Sequence, residues 1–275
     1  MKAYKPILTL FVLIPFFFAY LVQCGPAAND SAGNSAQDEE ITDPELTEIW
    51  DPQPPVVSPV PVSGEPPEDA IILFDGTSLD AWESVDGSAP EWTLENGYMT
   101  VQPGTGDIKT RQNFSDVQLH IEWRAPEVIV GEGQGRGNSG VFLQERYEVQ
   151  VLDNWENPTY SNGMAGSIYK QHIPLANPAK RPGEWQTYQI FFKSPVFDNE
   201  GNIETPARFT VLLNGVLIQN NVEVFGNTRY IGAPSYEVHG PAGIRLQDHG
   251  DYVSFRNIWI RELDEEIRFK DGIWR

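Results

Sequence analysis

Apolar and polar residues alternate from Tyr147 to Val151, which is the pattern of a β-strand with one buried face. Successive side chains of a strand point to opposite faces, so Tyr147, Val149 and Val151 are predicted to face a core. Glu148 and Gln150 are then predicted on the other face. That face carries a carboxylate and an amide instead of the lysines of a solvated strand, but this strand alone is still more typical of an ordinary solvated face.

A second segment near the C-terminus has the same pattern. Ile244 and Leu246 are predicted to point one way, and Arg245 and Gln247 the other. His249 continues the polar face if the strand extends that far. Two strands that each line one face with compact hydrogen-bonding groups predict the floor of a binding groove.

Strand patterns recur at short intervals between Ala70 and Asp264, separated by Gly- and Pro-rich turns. Asn214-Gly215 and Asn96-Gly97 predict tight hairpins, because both residues of such a turn need positive φ. No long amphipathic helix appears between the strands, so we predict an all-β sandwich or jelly roll of two antiparallel sheets. The predicted strands include Ile71–Phe74, Tyr98–Val101, Val117–Trp123, Val141–Leu143, Tyr188–Phe192, Phe209–Leu213 and Tyr252–Ile260.

The N-terminal residues have the pattern of a targeting signal. Lys2 and Lys5 precede an apolar run, and residues 1–23 are predicted to be a signal peptide. Cys24, the one cysteine of the chain, follows in a segment that resembles a bacterial lipoprotein box. This resemblance implies a lipid on Cys24, which would anchor the protein to a membrane of the bacterial cell envelope, in the periplasm or at the outer membrane. An uncleaved anchor is the alternative.

Residues 24–69 are rich in Pro, Ser and acidic residues and contain no Lys or Arg. Such a composition buries too little apolar surface to fold, so a disordered, extended tether is predicted. The domain is predicted at 70–264, followed by a short tail at 265–275. The net charge of −20 argues against nucleic acid as a partner.

The polar strand residues have side chains suited to proton transfer and sugar binding. Glu148 could act as a general acid or base, and a histidine such as His249 is a residue type suited to proton transfer. Arg245 could hold a carboxylate ionised or bind hydroxyl groups. The alternatives are a solvated strand face for Glu148 and Gln150, and a polar turn around Asp248 and His249.

Several further residues could lie near the rim of this groove. The glycine-rich segment 131–140 is followed by a strand and not by a helix, which argues against phosphate binding. A rim loop is favoured, in which Arg136 and Asn138 offer hydrogen bonds. Lys170 could polarise an oxygen or be a surface lysine, and Asp153 could bind hydroxyls or form a turn. No spacing indicates a metal site and no cofactor is required, but a divalent metal stays possible.

Five segments taken in order resemble a known family, the 3-keto-disaccharide hydrolase domain. The resemblance covers residues 71–263 and implies a concanavalin-like jelly roll with a concave sheet. It also implies action on glycosides whose ring carbon 3 has been oxidised to a ketone. The matching segments are Leu73–Trp82, Arg136–Leu143, Tyr147–Asp153, Gly183–Tyr188 and Gly243–Ile260.

A 3-keto-glycoside can lose its aglycone by elimination followed by addition of water. For that reaction we predict that Glu148 or His249 transfers protons, with Lys170 also catalytic. Carbohydrate is the expected partner. Two other functions stay open, namely a non-catalytic lectin-like carbohydrate-binding module and a structural envelope protein. The residues predicted to orient the sugar or steady the developing charge are Arg136, Asn138, Gln150, Asp153, Arg245, Gln247 and Asp248.

Overall fold

The computed structural model describes residues 43–51, 53, 56 and 64–263 of the 275-residue chain. The predicted signal peptide, Cys24, most of the predicted tether and the predicted tail at 265–275 lie outside the described residues. Among the described residues, no helix is both long enough and apolar enough to cross a membrane.

The described part of the chain folds almost entirely into strands. Its helical turns are three short 3₁₀ helices, at Pro44–Thr47, Gly133–Gly135 and Ser161–Gly163. The strands are β1 (Ile71–Phe74), β2 (Trp82–Ser84), β3 (Thr93–Glu95), β4 (Tyr98–Thr100), β5 (Ile108–Thr110), β6 (Val117–Arg124), β7 (Ser139–Leu143), β8 (Tyr147–Val151), β9 (Gln186–Lys193), β10 (Val196–Phe197), β11 (Ile203–Thr205), β12 (Arg208–Leu213), β13 (Val216–Glu223), β14 (Arg245–Leu246) and β15 (Ser254–Glu262).

The strands form two main antiparallel sheets, which confirms the predicted all-β jelly-roll sandwich. The eight-stranded sheet has the order β13-β12-β9-β6-β15-β4-β3, and β1 also pairs with β15. The five-stranded sheet has the order β2-β5-β14-β7-β8, while β10 and β11 form a separate ribbon. This order separates β8 from β14 by one strand, β7.

The core lies between the inner faces of the two sheets. Ile121 and Trp123 of β6 are buried there, as are Tyr147, Val149 and Val151 of β8. Each fully buried side chain of this size contributes about 1.5–3 kcal/mol of transfer free energy. The inward direction of the three β8 residues is the one that the alternation predicts.

Two of the predicted hairpins are present with the expected backbone. Asn214 and Gly215 have φ of 50° and 78° and join β12 to β13 through a two-residue turn. Asn96 and Gly97 have φ of 54° and 78° and join β3 to β4. Two-residue turns with positive φ match the right-handed twist of the strands that they join, and their short length fixes the register of those strands.

The second polar strand is shorter than the alternation predicts. β14 contains Arg245 and Leu246, and the chain then leaves the sheet. Beyond the strand, the backbone N of Asp248 donates to Asp107 Oδ1 at 2.9 Å. Its carboxylate accepts from the backbone N of Gly104 at 2.7 Å and of Gly106 at 3.0 Å.

Part of the segment predicted as a free tether lies against the domain. Ile49 N donates to Asn162 Oδ1 at 3.1 Å, and the Trp50 ring packs edge-on against Tyr160. We name residues 43–53 the strap. The structure thus differs from the sequence prediction here, because backbone groups of the strap find partners in the loop that contains Asn162.

Candidate active site

The two predicted polar strands meet on the outer face of the five-stranded sheet. Arg245 of β14 lies opposite Phe142 of β7, and Phe142 lies opposite Glu148 of β8. The strand spacing therefore puts the Arg245 and Glu148 backbones roughly 10 Å apart. Two residues farther along the same pair of strands, Gly140 of β7 lies opposite Gln150 of β8. Gln247 N donates to Gly140 O at 3.1 Å, which brings the segment after β14 to the same place.

A cavity of about 230 Å³ lies over this sheet face. Strand residues form its floor, and two loops that follow β8 and β13 supply a wall. Of the ten residues predicted as catalytic or substrate-binding, six line it. The lining comprises Asn138, Phe142, Glu148, Gln150, Tyr169, Thr228, Tyr230, Arg245, Gln247 and His249.

The loops cover the edge strand β8 and bury its outer face. Glu148 N donates to Thr228 Oγ1 at 3.0 Å, and Tyr169 N donates to Glu148 O at 3.2 Å. Gln150 N donates to Ser167 O at 3.0 Å. Glu148 and Gln150 are consequently 5% and 1% exposed, so they lie at the bottom of the cavity, shielded from solvent.

Burial decides the protonation of Glu148. It raises the pKa of Glu148 from 4.5 to about 8, because the charged carboxylate loses its hydration. The guanidinium of Arg245 opposes this rise in pKa, and the carboxylate of Asp107 adds to it. A carboxyl group with a pKa in this range exchanges protons readily near neutral pH, which suits a general acid or base.

The Gln150 amide can serve Glu148 in both protonation states. One end of the amide lies 2.9 Å from Glu148 Oε1, and the other lies 3.1 Å from Gln134 Oε1. With its nitrogen toward Glu148, the amide donates to the carboxylate. With its oxygen toward Glu148, it accepts from the carboxylic acid. With the nitrogen toward Glu148, the amide oxygen faces Gln134 Oε1, so that orientation also requires the Gln134 amide to turn.

Arg245 is held rigidly at the opposite side of the cavity floor. Its guanidinium carbon lies 3.7 Å from the centroid of the Phe142 ring, and its Nη1 pairs with Asp107. Its Nη2 donates to Glu145 O at 3.2 Å. Because aromatic stacking, an ion pair and a carbonyl hold the group, it presents a fixed positive charge to the cavity.

Asn138 and His249 lie on one side of the same cavity. Asn138 Nδ2 donates to Gln134 O at 2.7 Å, which leaves Asn138 Oδ1 3.4 Å from Gln150 Nε2. His249 is exposed and lines the mouth of the cavity. An imidazole in this position can reach a bound molecule and exchange protons with solvent.

Three residues predicted to bind substrate lie outside the cavity. Arg136 Nε donates to Asp153 Oδ2 at 2.6 Å, and Arg136 Nη2 donates to Trp155 O at 2.7 Å. Both members of this ion pair are buried and bond to each other, where we expected them to bind sugar. Asp248 is occupied by the backbone of the 104–107 turn, as described above.

Lys170 is also placed differently from the prediction. Its ammonium group does not line the cavity and instead donates to Pro44 O at 2.9 Å and to Tyr230 O at 3.0 Å. It lies 4.6 Å from the centroid of the Tyr230 ring. Lys170 therefore connects the strap to Tyr230, a residue of the cavity wall, where we expected direct proton transfer.

Sequence reasoning missed several residues of the site. Phe142 lies in an apolar run whose two faces look alike, so its outward direction had no local signal. Thr228 and Tyr230 come from a loop without regular pattern. Asp107 precedes a short strand, and only the pairing of β5 with β14 brings it to Arg245. Tyr169 lies in the loop that follows β8, and its backbone bond to Glu148 O brings it to the cavity.

Within the described ranges, no group of three or more His, Cys, Asp or Glu side chains could hold a metal ion. The expectation that no cofactor is required stays a prediction.

The fold and the site together define a jelly-roll protein with a polar cavity on the outer face of one sheet. Residues 69–261 match the model of the 3-keto-alpha-glucoside-1,2-lyase-like domain, and the chain belongs to that family. The family predicted from the five sequence segments is thereby confirmed. Membership also makes the chain an enzyme of the hydrolase class that cleaves glycosides.

Individual relatives are consistent with this assignment. A 3-keto-disaccharide hydrolase of Bacteroides thetaiotaomicron is 28% identical over 239 residues, which cover 70% of this chain and 78% of that protein. A candidate glycosyl hydrolase from Parabacteroides distasonis, with a crystal structure at 2.13 Å, is 52% identical with a TM-score of 0.72. That match covers 80% of this chain and 96% of the other. A second structure from that organism, at 1.70 Å, is 21% identical, covers 72% of this chain and 95% of the other, and has a TM-score of 0.52, which shows the fold alone.

Proposed function

We propose that this enzyme cleaves glycosides whose sugar ring carries a ketone at carbon 3, by elimination of the aglycone and addition of water. The observation that carries the proposal is the set of cavity residues. Among the described residues that line the cavity, Glu148 is the one carboxylate. Most glycosidases place two carboxylates around the scissile bond to support an oxocarbenium-like transition state. A 3-keto sugar needs no such pair.

The ketone makes a different path possible. It acidifies the hydrogen on carbon 2, so a base can break that C–H bond and leave the electron pair as an enolate on the carbon 3 oxygen. The enolate electrons then form a carbon 1–carbon 2 double bond as the glycosidic C–O bond breaks. The leaving oxygen takes a proton. Water then adds across the double bond, with oxygen at carbon 1 and hydrogen at carbon 2, which gives net hydrolysis.

Glu148 is the base in this proposal. A buried carboxylate is more basic than an exposed one, and its pKa of about 8 brings it closer to that of the carbon acid. Gln150 stabilises both forms of the group, since its amide can donate to the carboxylate or accept from the acid. The same acid can return its proton to carbon 2 when water adds.

Arg245 and His249 complete the proposed machinery. The fixed guanidinium of Arg245 faces the cavity and stabilises the negative charge that develops on the carbon 3 oxygen. His249, at the exposed mouth, protonates the departing glycosidic oxygen. Gln247 and Asn138 orient the hydroxyl groups of the sugar. This division puts the base and the oxyanion site inside the cavity and the leaving group at its mouth.

The test is turnover of 3-keto-glucosides and of their unoxidised parents, measured as released aglycone. We expect cleavage of the keto compounds alone. Glu148→Gln keeps the size of the side chain but removes its basicity, and should lower kcat by about 10²–10⁴-fold. Glu204→Gln, at an exposed position in β11, is the matched control and should retain full activity.

Two results would contradict the proposal. Cleavage of the unoxidised parents at a similar rate would show that the ketone is not part of the chemistry. Binding of sugars without cleavage, unchanged in Glu148→Gln, would instead indicate a carbohydrate-binding module.

A further inference from the structure

A second cavity, of about 270 Å³, lies at the end of the sandwich beside the site. Its lining comes from connections at that end. Gly137 precedes β7, Asp153 follows β8, and Gly250–Tyr252 follow the strand that contains Arg245. An exposed loop with Val128, Ile129 and Val130 forms the outer side.

Consecutive residues of the same two chain segments line the two cavities. Asn138 lines the first cavity, and the preceding Gly137 lines the second. His249 lines the first, and the following Gly250 lines the second. The backbone N of Asn138 donates to Asp251 Oδ2 at 2.8 Å, which holds the two segments together. The two cavities therefore lie beside each other along these two segments.

The second cavity has an apolar character that the site lacks. Ile129 and Tyr252 are 53% and 57% exposed although both are large hydrophobic residues. The two valines that flank Ile129 are exposed as well. Clustered exposed apolar side chains beside a cavity are typical of binding surfaces, because solvation of such a cluster is unfavourable.

Each charged side chain of the second cavity has a partner within the protein. Arg136 and Asp153 bond to each other, and Arg136 also bonds to Trp155 O. Asp251 accepts from the backbone of Asn138. A sugar ring needs several unpaired hydrogen-bonding partners, whereas an aromatic or aliphatic group needs apolar contact.

We propose that the second cavity binds the leaving group of the substrate, and that it favours an apolar, aromatic aglycone. The proposal rests on the proposed function, in which His249 protonates the departing oxygen. That oxygen is the atom that links the sugar to its aglycone, so the aglycone lies beyond His249, where the second cavity begins. Apolar cavities of about 150 Å³ hold a benzene ring, so this cavity is large enough.

The experiment compares two substrates of the full chain, a 3-keto-glucoside with a phenyl aglycone and one with a methyl aglycone. Ile129→Ser and Tyr252→Ala each remove apolar contact from the second cavity. We expect each to lower kcat/KM for the phenyl compound by about 5–50-fold, mainly through KM. The methyl compound, which does not reach the cavity, should stay within about twofold of wild type.

The matched control is Ile72→Ser, at an isoleucine of β1 that is exposed to a similar degree, 47%. This variant should leave both substrates unaffected. If the variants lose kcat/KM equally on both substrates, or on neither, the proposed leaving-group site is wrong. Turnover of the keto compounds by the wild type would still support the proposed function in that case. If the wild type cleaves neither keto compound, both the proposed function and the proposed leaving-group site are wrong.

Discussion

Gly140 lies diagonally across the β7–β8 ladder from Glu148, and a Cβ built on Gly140 would lie 2.7 Å from Glu148 Oε1. It would also lie 2.7 Å from Cε2 of Phe142. Real Cβ atoms do not approach other atoms so closely. The absence of a side chain at position 140 is therefore what lets the carboxyl group of Glu148 occupy the cavity floor.

Gly140→Ala should displace that carboxyl group and lower kcat. A shift of about 1 Å in a reacting group can cost up to about 10²-fold, so we expect a loss of about 10–100-fold. Gly240→Ala is the control, because a Cβ there would have no neighbour within 4 Å and the backbone is not left-handed. Initial rates of both purified variants on one 3-keto-glucoside check this. Full activity of Gly140→Ala would show that the position of the carboxyl group does not matter.

The pH dependence of kcat/KM should report the ionisation of Glu148. Its pKa of about 8 belongs to the free enzyme, and the base must be ionised to act. In the His249→Gln variant, which lacks the proposed acid and keeps Glu148 as the one carboxyl group that lines the cavity, we therefore expect the residual kcat/KM to rise about tenfold per pH unit below pH 8 and to level off above it. A pH–rate profile measured with a substrate that is stable to alkali checks this. A fall above pH 8 would show that Glu148 acts as the acid instead.

Asp107 should affect the midpoint of the kcat/KM profile through its charge, although it does not line the cavity. Its carboxylate raises the pKa of Glu148, and it also pairs with Arg245, which lowers that pKa. Asp107→Asn removes the first effect and frees the guanidinium, so both changes shift the midpoint of the kcat/KM profile to lower pH. Asp198→Asn, in the separate β10–β11 ribbon, should leave the midpoint in place. An unchanged or higher midpoint in Asp107→Asn would contradict this electrostatic link.

The free energy of unfolding should decrease as the pH rises, because of the carboxyl group of Glu148. The folded pKa of about 8 lies above the ordinary value of 4.5, so folding favours the protonated form. The resulting stabilisation is fully present below about pH 4.5 and is lost as the pH rises through about 8. The loss in unfolding free energy is on the order of a few kcal/mol. Urea unfolding at about pH 5 and about pH 9 should show this decrease in wild type and a smaller one in Glu148→Gln. Equal decreases would mean that other groups cause it.

Lys170 should act on the site through Tyr230 and the strap. Lys170→Met keeps the length of the side chain but removes the hydrogen bonds to Pro44 O and Tyr230 O. We expect KM to rise about 3–10-fold with little change in kcat, since the wall loosens while the reacting groups stay in place. Lys170→Arg retains the charge and donors and should restore most of the affinity. A large loss of kcat in Lys170→Met would instead indicate direct participation in the chemistry, as the sequence had led us to expect.

The sequence by itself determined the outward direction of Glu148, Gln150 and Arg245. It also determined the two hairpin turns with Asn-Gly and the family. These features depend on strand periodicity, on the φ preference of two adjacent residues and on short motifs, all of which are local. The alternation of apolar and polar residues cannot show how deeply a strand face is covered. The cavity over that face and the raised pKa of Glu148 could therefore not be predicted from the local sequence.

Only the tertiary structure decided which predicted residues meet. Pairing of β7 with both β8 and β14 put Glu148 and Arg245 on one floor, with Phe142 between them. Two other predicted residues lie outside the cavity because they bind groups elsewhere in the protein. Arg136 forms an ion pair with Asp153. Lys170 donates to a carbonyl of the strap and to a carbonyl of the cavity wall. The partner of a charged side chain is chosen by whatever group the fold brings within hydrogen-bonding distance, and that group can be more than a hundred residues away in sequence, as Pro44 is from Lys170.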